Sequence, residues 1–290
     1  MLGATKGPIR PHFERLSVEA GFAGVELISP NELDRDEVLK ARDATGIVIH
    51  GVSGGRHWRD TLSDPDPEVV KRGLAAIRQE IEDCKAYGGT TVLVVPAVVT
   101  PKVSYRQAYE RSQAAIKTLI PEAEKAGIVL AIEEVWNKFL LSPVEFARYI
   151  DEFQSPAVKA YFDVGNVVEF GYPQEWIREL GKRTVKIHVK EYKKEKRFSY
   201  PIGEGEIDWA DVRQGAHRRR LRGGWITAEV GYGDEVEKLK DVVKPHGPGP
   251  RPGLSLAINR NSARSRGPIP RPRDRGSFSS TAGLLSHLMK

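Results

Sequence analysis

The sequence has a single cysteine, Cys84, among its 290 residues, so neither an internal disulfide nor a cysteine-based zinc cluster is available to it. It also has no apolar run approaching the roughly 18 residues that a membrane span requires. Its first residues lack the basic-then-apolar layout of a signal peptide. These absences predict a protein of a reducing compartment, the cytoplasm, with no membrane partner.

The positive charge of the chain is unevenly distributed. The net charge is +6, but the last 47 residues (244–290) hold seven Arg, two Lys and one Asp, so residues 1–243 are slightly acidic. That segment is also rich in Pro, Gly and Ser and has too few apolar residues to offset the entropy of ordering. Its arginines are not interleaved with aromatic residues, as stacking on nucleic acid would require. We therefore predict a folded domain over 1–243 and a disordered basic tail over 244–290, and we disfavour a nucleic-acid partner.

The folded part alternates short β-rich runs with helical patterns that mostly end at glycine. The runs cover 24–29, 46–53, 90–99, 127–134, 158–166, 184–190 and 224–230. Such alternation is typical of a parallel sheet, and eight units of about 30 residues would form a (β/α)8 TIM barrel. Only residues 1–9 remain for the first strand, which should be short or truncated. A doubly wound sheet is disfavoured, because no G-x-G-x-x-G follows a strand.

Two helix starts carry capping signals. Residues 142–145 read as a capping box with Pro143 at the first helical position, and Asp66-Pro67 opens another helix in the same way. The second helix carries an apolar stripe at steps of three and four, which predicts that its last member is a core residue and not a nucleophile: Val70, Leu74, Ile77, Ile81 and Cys84. The segment 213–224, with five arginines, replaces an expected apolar helix and should pack poorly.

Side chains on a strand alternate between the barrel interior and the surrounding helices. In the run 127–134, this alternation turns Glu133 inward and leaves Glu134 facing the helices or the strand edge. The same parity turns inward Tyr161 and Asp163, then Lys186, His188 and Lys190, and finally Thr227 and Glu229. In 184–190 it leaves Val185, Ile187 and Val189 facing the helices.

Four successive strands therefore each send one ligand-type side chain inward near the carboxyl end, where barrel enzymes build their sites. These side chains are Glu133, Asp163, His188 and Glu229. Three converging carboxylates and one imidazole need a cation to offset their repulsion. One divalent metal ion with oxygen and nitrogen ligands fits this set.

Several segments of the sequence resemble a known family. LAIEEVWNKF, YFDVGN, IHVKEY and ITAEV, with GFAGVEL and VIHGVS, are similar to the xylose isomerase-like TIM barrel superfamily and its sugar phosphate isomerase/epimerase group, over about residues 10–240. The resemblance implies one Mn²⁺, Co²⁺, Mg²⁺ or Zn²⁺ ion held by Glu133, Asp163, His188 and Glu229. It also implies that Glu133 and Glu229 transfer protons in an isomerase or epimerase that acts on a small sugar or sugar phosphate through an enediolate. Homo-oligomer formation stays open.

Five further residues are predicted to contact substrate. His50 shares inward parity and is placed at the end of its strand, and Lys190 lies inward beyond His188. Asn166 occupies the position three after Asp163, where many relatives have a histidine. Trp136 follows its strand, and Arg197 resembles an arginine that some relatives bring over the substrate.

Three other functions remain as alternatives. The same site would suit a dehydratase of a cyclic polyol of the inosose type. An apurinic endonuclease shares this barrel but resembles a three-metal design with more histidines than the seven found here. A non-catalytic binding protein with a vestigial site is the third alternative.

Overall fold

The computed structural model describes residues 8–218, 225–231 and 236–243. Within these ranges, seven parallel strands form one sheet in chain order, β1 to β7, with helices between them. The first strand was predicted within residues 1–9; residues 1–7 lie outside the described residues, and Ile9 already begins a helix. Residues 219–224 of the arginine-rich segment and the whole predicted tail also lie outside them.

The strands are β1 (Gly24–Ser29), β2 (Val48–Gly54), β3 (Thr91–Val94), β4 (Val129–Glu133), β5 (Val158–Asp163), β6 (Thr184–Val189) and β7 (Ile226–Ala228). The helices are α1 (Ile9–Glu14, continued by a π-helical turn over Arg15–Glu19), α2 (Arg35–Thr45), α3 (Pro67–Tyr87), α4 (Tyr105–Lys117), α5 (Ile120–Ala126), α6 (Pro143–Asp151), α7 (Pro173–Leu180), α8 (Trp209–Arg218) and α9 (Val236–Val243), with 3-10 turns at Asn166–Glu169 and Gly181–Arg183.

Contacts across the interior show that the sheet is curled into a nearly closed barrel. The Tyr161 hydroxyl of β5 lies 3.3 Å from Glu26 Oε2 of β1 and 3.1 Å from Thr227 Oγ1 of β7. His50 of β2 stacks on Trp225, which precedes β7, with ring centroids 4.7 Å apart. Strands from opposite ends of the sheet therefore share one interior, which confirms the predicted barrel.

Two apolar layers follow from the strand alternation. The outer-facing residues of β4 and β5, such as Leu130 and Phe162, belong to the large core between sheet and helices. A small inner cluster consists of Leu93, Val95, Ala131 and Tyr161. The stripe on α3 reaches the core as predicted, and Cys84 is fully buried with a pKa that burial raises to about 12.

The helix ends follow the local sequence. Asp66 caps α3 through the Glu68 amide, and Gly88 ends it in the left-handed conformation with φ 82°. Ser142 caps α6 through the Glu145 amide as predicted. The Glu145 side chain does not complete a capping box, because its carboxylate accepts a hydrogen bond from the Tyr105 hydroxyl of α4.

One parity prediction is wrong. Val185 packs against the inner cluster and not against the helices. The pairing register of β5 with β6 shifts between Ala160 and Tyr161, which pair with Thr184 and Lys186, so Val185 is the extra residue. The alternation holds again from Lys186 onward, and Ile187 and Val189 reach the outer core.

The described helices include none that combines the length and apolar character needed to cross a membrane.

Candidate metal centre and active site

The four predicted ligands meet at the carboxyl end of the barrel. Glu133 and Asp163 are the last residues of β4 and β5, His188 is the last but one of β6, and Glu229 follows β7 directly. Asp163 pairs in register with His188, so neighbouring strands present their side chains at one level. One ligand atom from each residue lies within 4.8 Å of all the others. The described part of the chain contains no second cluster of this kind.

The arrangement of donor atoms suits a divalent ion. His188 Nδ1 lies 2.8 Å from Glu133 Oε1 and 3.8 Å from both Asp163 Oδ2 and Glu229 Oε2. Asp163 Oδ1 accepts the Asn166 amide at 2.7 Å, but Oδ2 is buried and accepts no hydrogen bond from any described residue. A buried carboxylate oxygen facing an imidazole and two further carboxylates is a ligand set that fits a divalent ion.

Neighbouring charges shift the acidities within the cluster. Burial raises the pKa of Glu133 to about 7; the negative charges of Asp163 and Glu229 add to the rise, and His188 opposes it. Burial lowers the pKa of His188, but Glu133 and Glu26 outweigh it and raise the value to about 10. Burial raises the pKa of Glu229, but the positive charges of His188 and Lys190 outweigh this effect and lower the pKa to about 2.

Lys190 brings a second cation to the cluster. Its Nζ lies 2.7 Å from Glu229 Oε2 and 3.2 Å from Asp163 Oδ2. Burial lowers its pKa, but the carboxylates of Asp163 and Glu229 outweigh that effect and raise it above the ordinary value. The predicted substrate contact therefore lies directly beside two proposed metal ligands.

Glu26 of β1 is a site residue that our sequence analysis did not identify. It is fully buried, and its Oε2 lies 3.1 Å from His188 Nε2, the nitrogen on the far side of the ring from the other ligands. Burial raises the pKa of Glu26, but the hydrogen bond and charge of His188 outweigh this and hold it below the ordinary value. A carboxylate in this position fixes the orientation of the imidazole. The alternation of Val25, Glu26 and Leu27 within β1 could have predicted that Glu26 points into the barrel interior.

His50 lies deeper than predicted. It is the third residue of β2 and not its last, and it is 1% exposed. Its Nδ1 lies 2.7 Å from Lys186 Nζ, and its Nε2 lies 3.3 Å from Thr227 Oγ1. The β1–β2 register shifts at this point, since Val25 pairs with Ile49 and Glu26 with Gly51. Substrate contact by His50 stays a prediction.

Glu134 was expected to face the helices or the strand edge, and it is buried at 2% exposure. Neither of its carboxylate oxygens has a hydrogen-bond partner among the described residues. Burial raises its pKa well above the ordinary value, and the charges of Asp163 and Glu133 add to the rise. The backbone carbonyl of Glu134 accepts the Asn166 side-chain amide at 3.0 Å, so Asn166 ties the ends of β4 and β5 together.

Trp136 and Arg197 lie together at the barrel mouth. The Trp136 indole N–H donates to the Asn166 carbonyl at 3.0 Å, which fixes the ring above the end of β5. The Arg197 guanidinium carbon lies 4.7 Å from the Trp136 ring centroid. The structure thus brings Trp136, Asn166, Lys190 and Arg197 to the same end of the barrel as the metal ligands.

Comparison with known proteins agrees with this geometry. L-ribulose-5-phosphate 3-epimerase UlaE of Escherichia coli O1:K1 / APEC is 24% identical over 238 residues, covering 80% of this chain and 84% of that protein. The structure of D-allulose 3-epimerase from Methylomonas sp. is similar in fold, with a TM-score of 0.71, 18% identity, and 81% of this chain and 89% of that chain covered. The structure of the E. coli 3-keto-D-glucoside 4-epimerase YcjR is also similar in fold, with a TM-score of 0.68 and 18% identity. The match covers 84% of this chain and 98% of that chain. The family model of the xylose isomerase-like TIM barrel matches residues 15–246, and the chain belongs to that family.

Proposed function

We propose that the protein is a divalent-metal-dependent epimerase of a ketose or ketose phosphate, in which Glu133 and Glu229 transfer the proton. The observation that carries the proposal is the cluster of three carboxylates and one imidazole at the carboxyl end of the barrel. The relatives support it, since those compared above are sugar epimerases by name.

Glu133, Asp163, His188 and Glu229 would hold one Mn²⁺, Co²⁺, Mg²⁺ or Zn²⁺ ion. When bound, such an ion polarises a substrate carbonyl and an adjacent hydroxyl and stabilises the negative charge of an enediolate. Asp163 Oδ2 is buried and lies 3.2 Å from Lys190 Nζ, but it accepts no aligned hydrogen bond from the described residues, which is consistent with its assignment as a metal ligand.

The two glutamates reach the site from different sides. Glu133 ends β4 and Glu229 follows β7, with β5 and β6 between them in the sheet. A carboxylate on one face of the substrate removes the proton, and a carboxylate on the other face returns one, which inverts the carbon centre. Two groups acting on the same face would instead give aldose–ketose isomerisation. The separation of β4 and β7 favours epimerisation.

The mouth residues supply the remaining substrate contacts. Trp136 and Arg197 wall the entrance, and the Lys190 ammonium lies where it would meet a substrate oxygen. Asn166 contributes by holding the turn after Asp163, because both of its amide groups already donate hydrogen bonds. His50 lies deeper in the barrel interior, where it contacts Lys186 and Thr227, and it would approach the substrate from that side.

Proton exchange with solvent tests this function before the product is known. Glu133→Gln and Glu229→Gln keep the side-chain shape and an oxygen ligand but remove the base. In deuterated water with Mn²⁺ and a panel of ketoses and their phosphates, each variant should lower turnover by roughly 10² to 10⁴. The two variants should also differ in which epimer still exchanges its C–H proton, because each glutamate serves one face.

Glu82→Gln, an exposed change on α3, is the matched control and should exchange at the wild-type rate. Near wild-type exchange in both active-site variants, with metal retained, would rule out the two-carboxylate mechanism. Loss of water from a polyol, without exchange of a ketose proton, would identify the dehydratase instead.

A further inference from the structure

Glu134 is a buried carboxyl group that the proposed mechanism does not use. It follows Glu133 directly, and it is 2% exposed. Among the described residues, it is the one carboxyl group whose two oxygens are both buried and without a hydrogen-bond partner. Burying a polar group without a hydrogen bond costs free energy, so nearly all buried polar groups in proteins have partners. The unpaired oxygens of Glu134 therefore indicate a role other than holding the fold together.

A second buried carboxylate, two residues beyond the end of β6, shows the usual arrangement. Glu191 is 1% exposed and accepts a hydrogen bond from the Trp209 indole at 2.8 Å. It also accepts from three backbone amides, those of Tyr192 at 3.0 Å, Gly203 at 2.6 Å and Ile207 at 3.4 Å. This fold thus surrounds a structural carboxylate with donors, and it does not do so for Glu134.

The hydrogen-bond donors around Glu134 are engaged elsewhere. The Asn166 side-chain amide donates to the backbone carbonyl of Glu134 at 3.0 Å, and the Asn166 backbone amide donates to Asp163 Oδ1 at 2.7 Å. The Trp136 indole donates to the Asn166 carbonyl at 3.0 Å. These contacts hold the backbone of Glu134 in place and leave its carboxyl group without a donor.

The carboxyl group of Glu134 lies beside the metal centre. Glu133 pairs with Tyr161 in the register of β4 and β5, so Glu134 is level with the end of β5, where Asp163 lies. Apart from burial, which raises it, the charges that act on the pKa of Glu134 are those of Asp163, Glu133 and Lys190. All three groups belong to the centre, and the Lys190 ammonium contacts metal ligands there and not Glu134.

Glu134 is not placed to bind a metal ion. In the described part of the chain, the four predicted ligands are the one group of three or more ligand side chains that converge, and Glu134 is not among them. Its partner should therefore be an organic hydrogen-bond donor. A carboxyl group presents two oxygens side by side, and hydroxyls on two neighbouring carbons can each bond to one of them. A ketose carries such hydroxyl pairs outside its reacting carbons.

We propose that Glu134 is a specificity-determining residue that binds two neighbouring hydroxyls of the substrate, on carbons that do not react. The inference rests on the proposed function and deepens it, because it restricts the substrate to ketoses that carry both hydroxyls. A ligand that lacks one of them leaves a buried oxygen unpaired, and sites built in this way reject deoxy analogues. The ligand-free fold is less stable as a result, which is common for residues that serve function.

Calorimetry with deoxy sugars tests this subsite in the Mn²⁺-loaded full chain. D-Fructose should bind the wild type at least about tenfold more tightly than its 5-deoxy analogue, because every pair of neighbouring hydroxyls beyond the reacting carbon includes carbon 5. One of the 4-deoxy and 6-deoxy analogues should bind as weakly. Glu134→Leu should bind D-fructose and 5-deoxy-D-fructose equally, whereas Glu179→Leu, an exposed change on α7, should keep the wild-type preference.

Equal affinity of the wild type for all four sugars overturns the subsite. Binding of none of them, or an unchanged preference in Glu134→Leu, also overturns it.

Urea unfolding gives a second measurement, made without ligand. Glu134→Leu should unfold at a higher urea concentration than the wild type, because it removes two buried oxygens that have no partner. Glu191→Leu is the matched comparison and should unfold at a lower concentration, because it leaves four donors unpaired. A lower unfolding concentration for Glu134→Leu would show that its carboxyl group stabilises the fold, and the proposal would then be wrong.

The outcomes separate this inference from the proposed function. If the affinities follow the expected pattern but no ketose exchanges its C–H proton, the epimerase proposal fails and the Glu134 subsite stands. If ketoses exchange and Glu134→Leu keeps the wild-type preference for D-fructose, the epimerase proposal stands and the subsite is wrong.

Discussion

The two sides of the barrel interior differ in what their inward positions carry. The β4–β7 side supplies all four proposed metal ligands at its carboxyl end. Besides His50, inward positions on β2 and β3 hold small or apolar residues such as Gly51, Thr91 and Leu93. A Cβ at Gly51 would lie 2.6 Å from Lys186 Nζ, so glycine on this side makes room for a lysine from the other. The β4–β7 side carries the proposed metal ligands, and β2 and β3 leave space beside them.

The supporting side contributes buried polar groups as well. Glu26 of β1 contacts His188, and His50 of β2 accepts Lys186 through its backbone carbonyl at 2.8 Å. Burial lowers the pKa of Lys186 to about 8, although the charge of Glu26 opposes the change. The two sides therefore differ in the role that we propose for them: the proposed metal ligands lie on one side, and residues that contact those ligands lie on the other.

The largest expected effect comes from removing a ligand on the β4–β7 side. Asp163→Ala should lower Mn²⁺ affinity by more than about 100-fold, since changes in residues that only support a ligand already cost 10- to 100-fold. Calorimetric titration and metal content per chain measure the loss, and the exposed Asp43→Ala on α2 is the control. Stoichiometric metal in Asp163→Ala would place the site elsewhere.

A second prediction concerns a buried carboxyl group outside the barrel, behind β2. Glu80 of α3 faces the end of that strand, where a Cβ at Gly54 would lie 3.1 Å from its Oε1. Burial raises its pKa from 4.5 to about 8, and the charge of Asp83 adds to the rise. The folded protein therefore keeps a proton that the unfolded chain releases. The stabilisation is complete below about pH 4.5 and is lost as the pH rises through about 8.

Glu80→Gln removes this titration. Relative to the variant, the wild type should lose a few kcal/mol of unfolding free energy between pH 5 and pH 8, since one pKa unit corresponds to about 1.4 kcal/mol. Urea unfolding at several pH values measures the difference, with Glu82→Gln on the same helix as the control. Parallel pH profiles for wild type and Glu80→Gln would show that Glu80 is ionised in the folded protein.

Strand alternation was enough to predict which side chains converge, because it holds at the carboxyl ends of β4, β5 and β6, where Glu133, Asp163 and His188 lie. It failed at Val185, where a register shift adds a residue that the sequence does not reveal. Glu191 lies in a loop without periodicity, and its four donors converge only in the folded chain. Strand alternation could have predicted that Glu26 points inward. Its contact with His188 could not be predicted, because the two residues are 162 positions apart in the sequence.

Glu26→Gln is the mildest change and tests the comparison most directly. The substitution keeps the size of the side chain and an oxygen that can still accept one hydrogen bond from His188, but it removes the negative charge that orients the imidazole. We expect Mn²⁺ affinity to fall roughly 10- to 100-fold, because such supporting carboxylates fix the metal-binding nitrogen of a histidine. Calorimetry should show this with the fold intact by circular dichroism, while the exposed Glu37→Gln on α2 binds as wild type does. Unchanged Mn²⁺ affinity in Glu26→Gln would mean that β1 only encloses the barrel interior. His188 would then be oriented by the β4–β7 side alone.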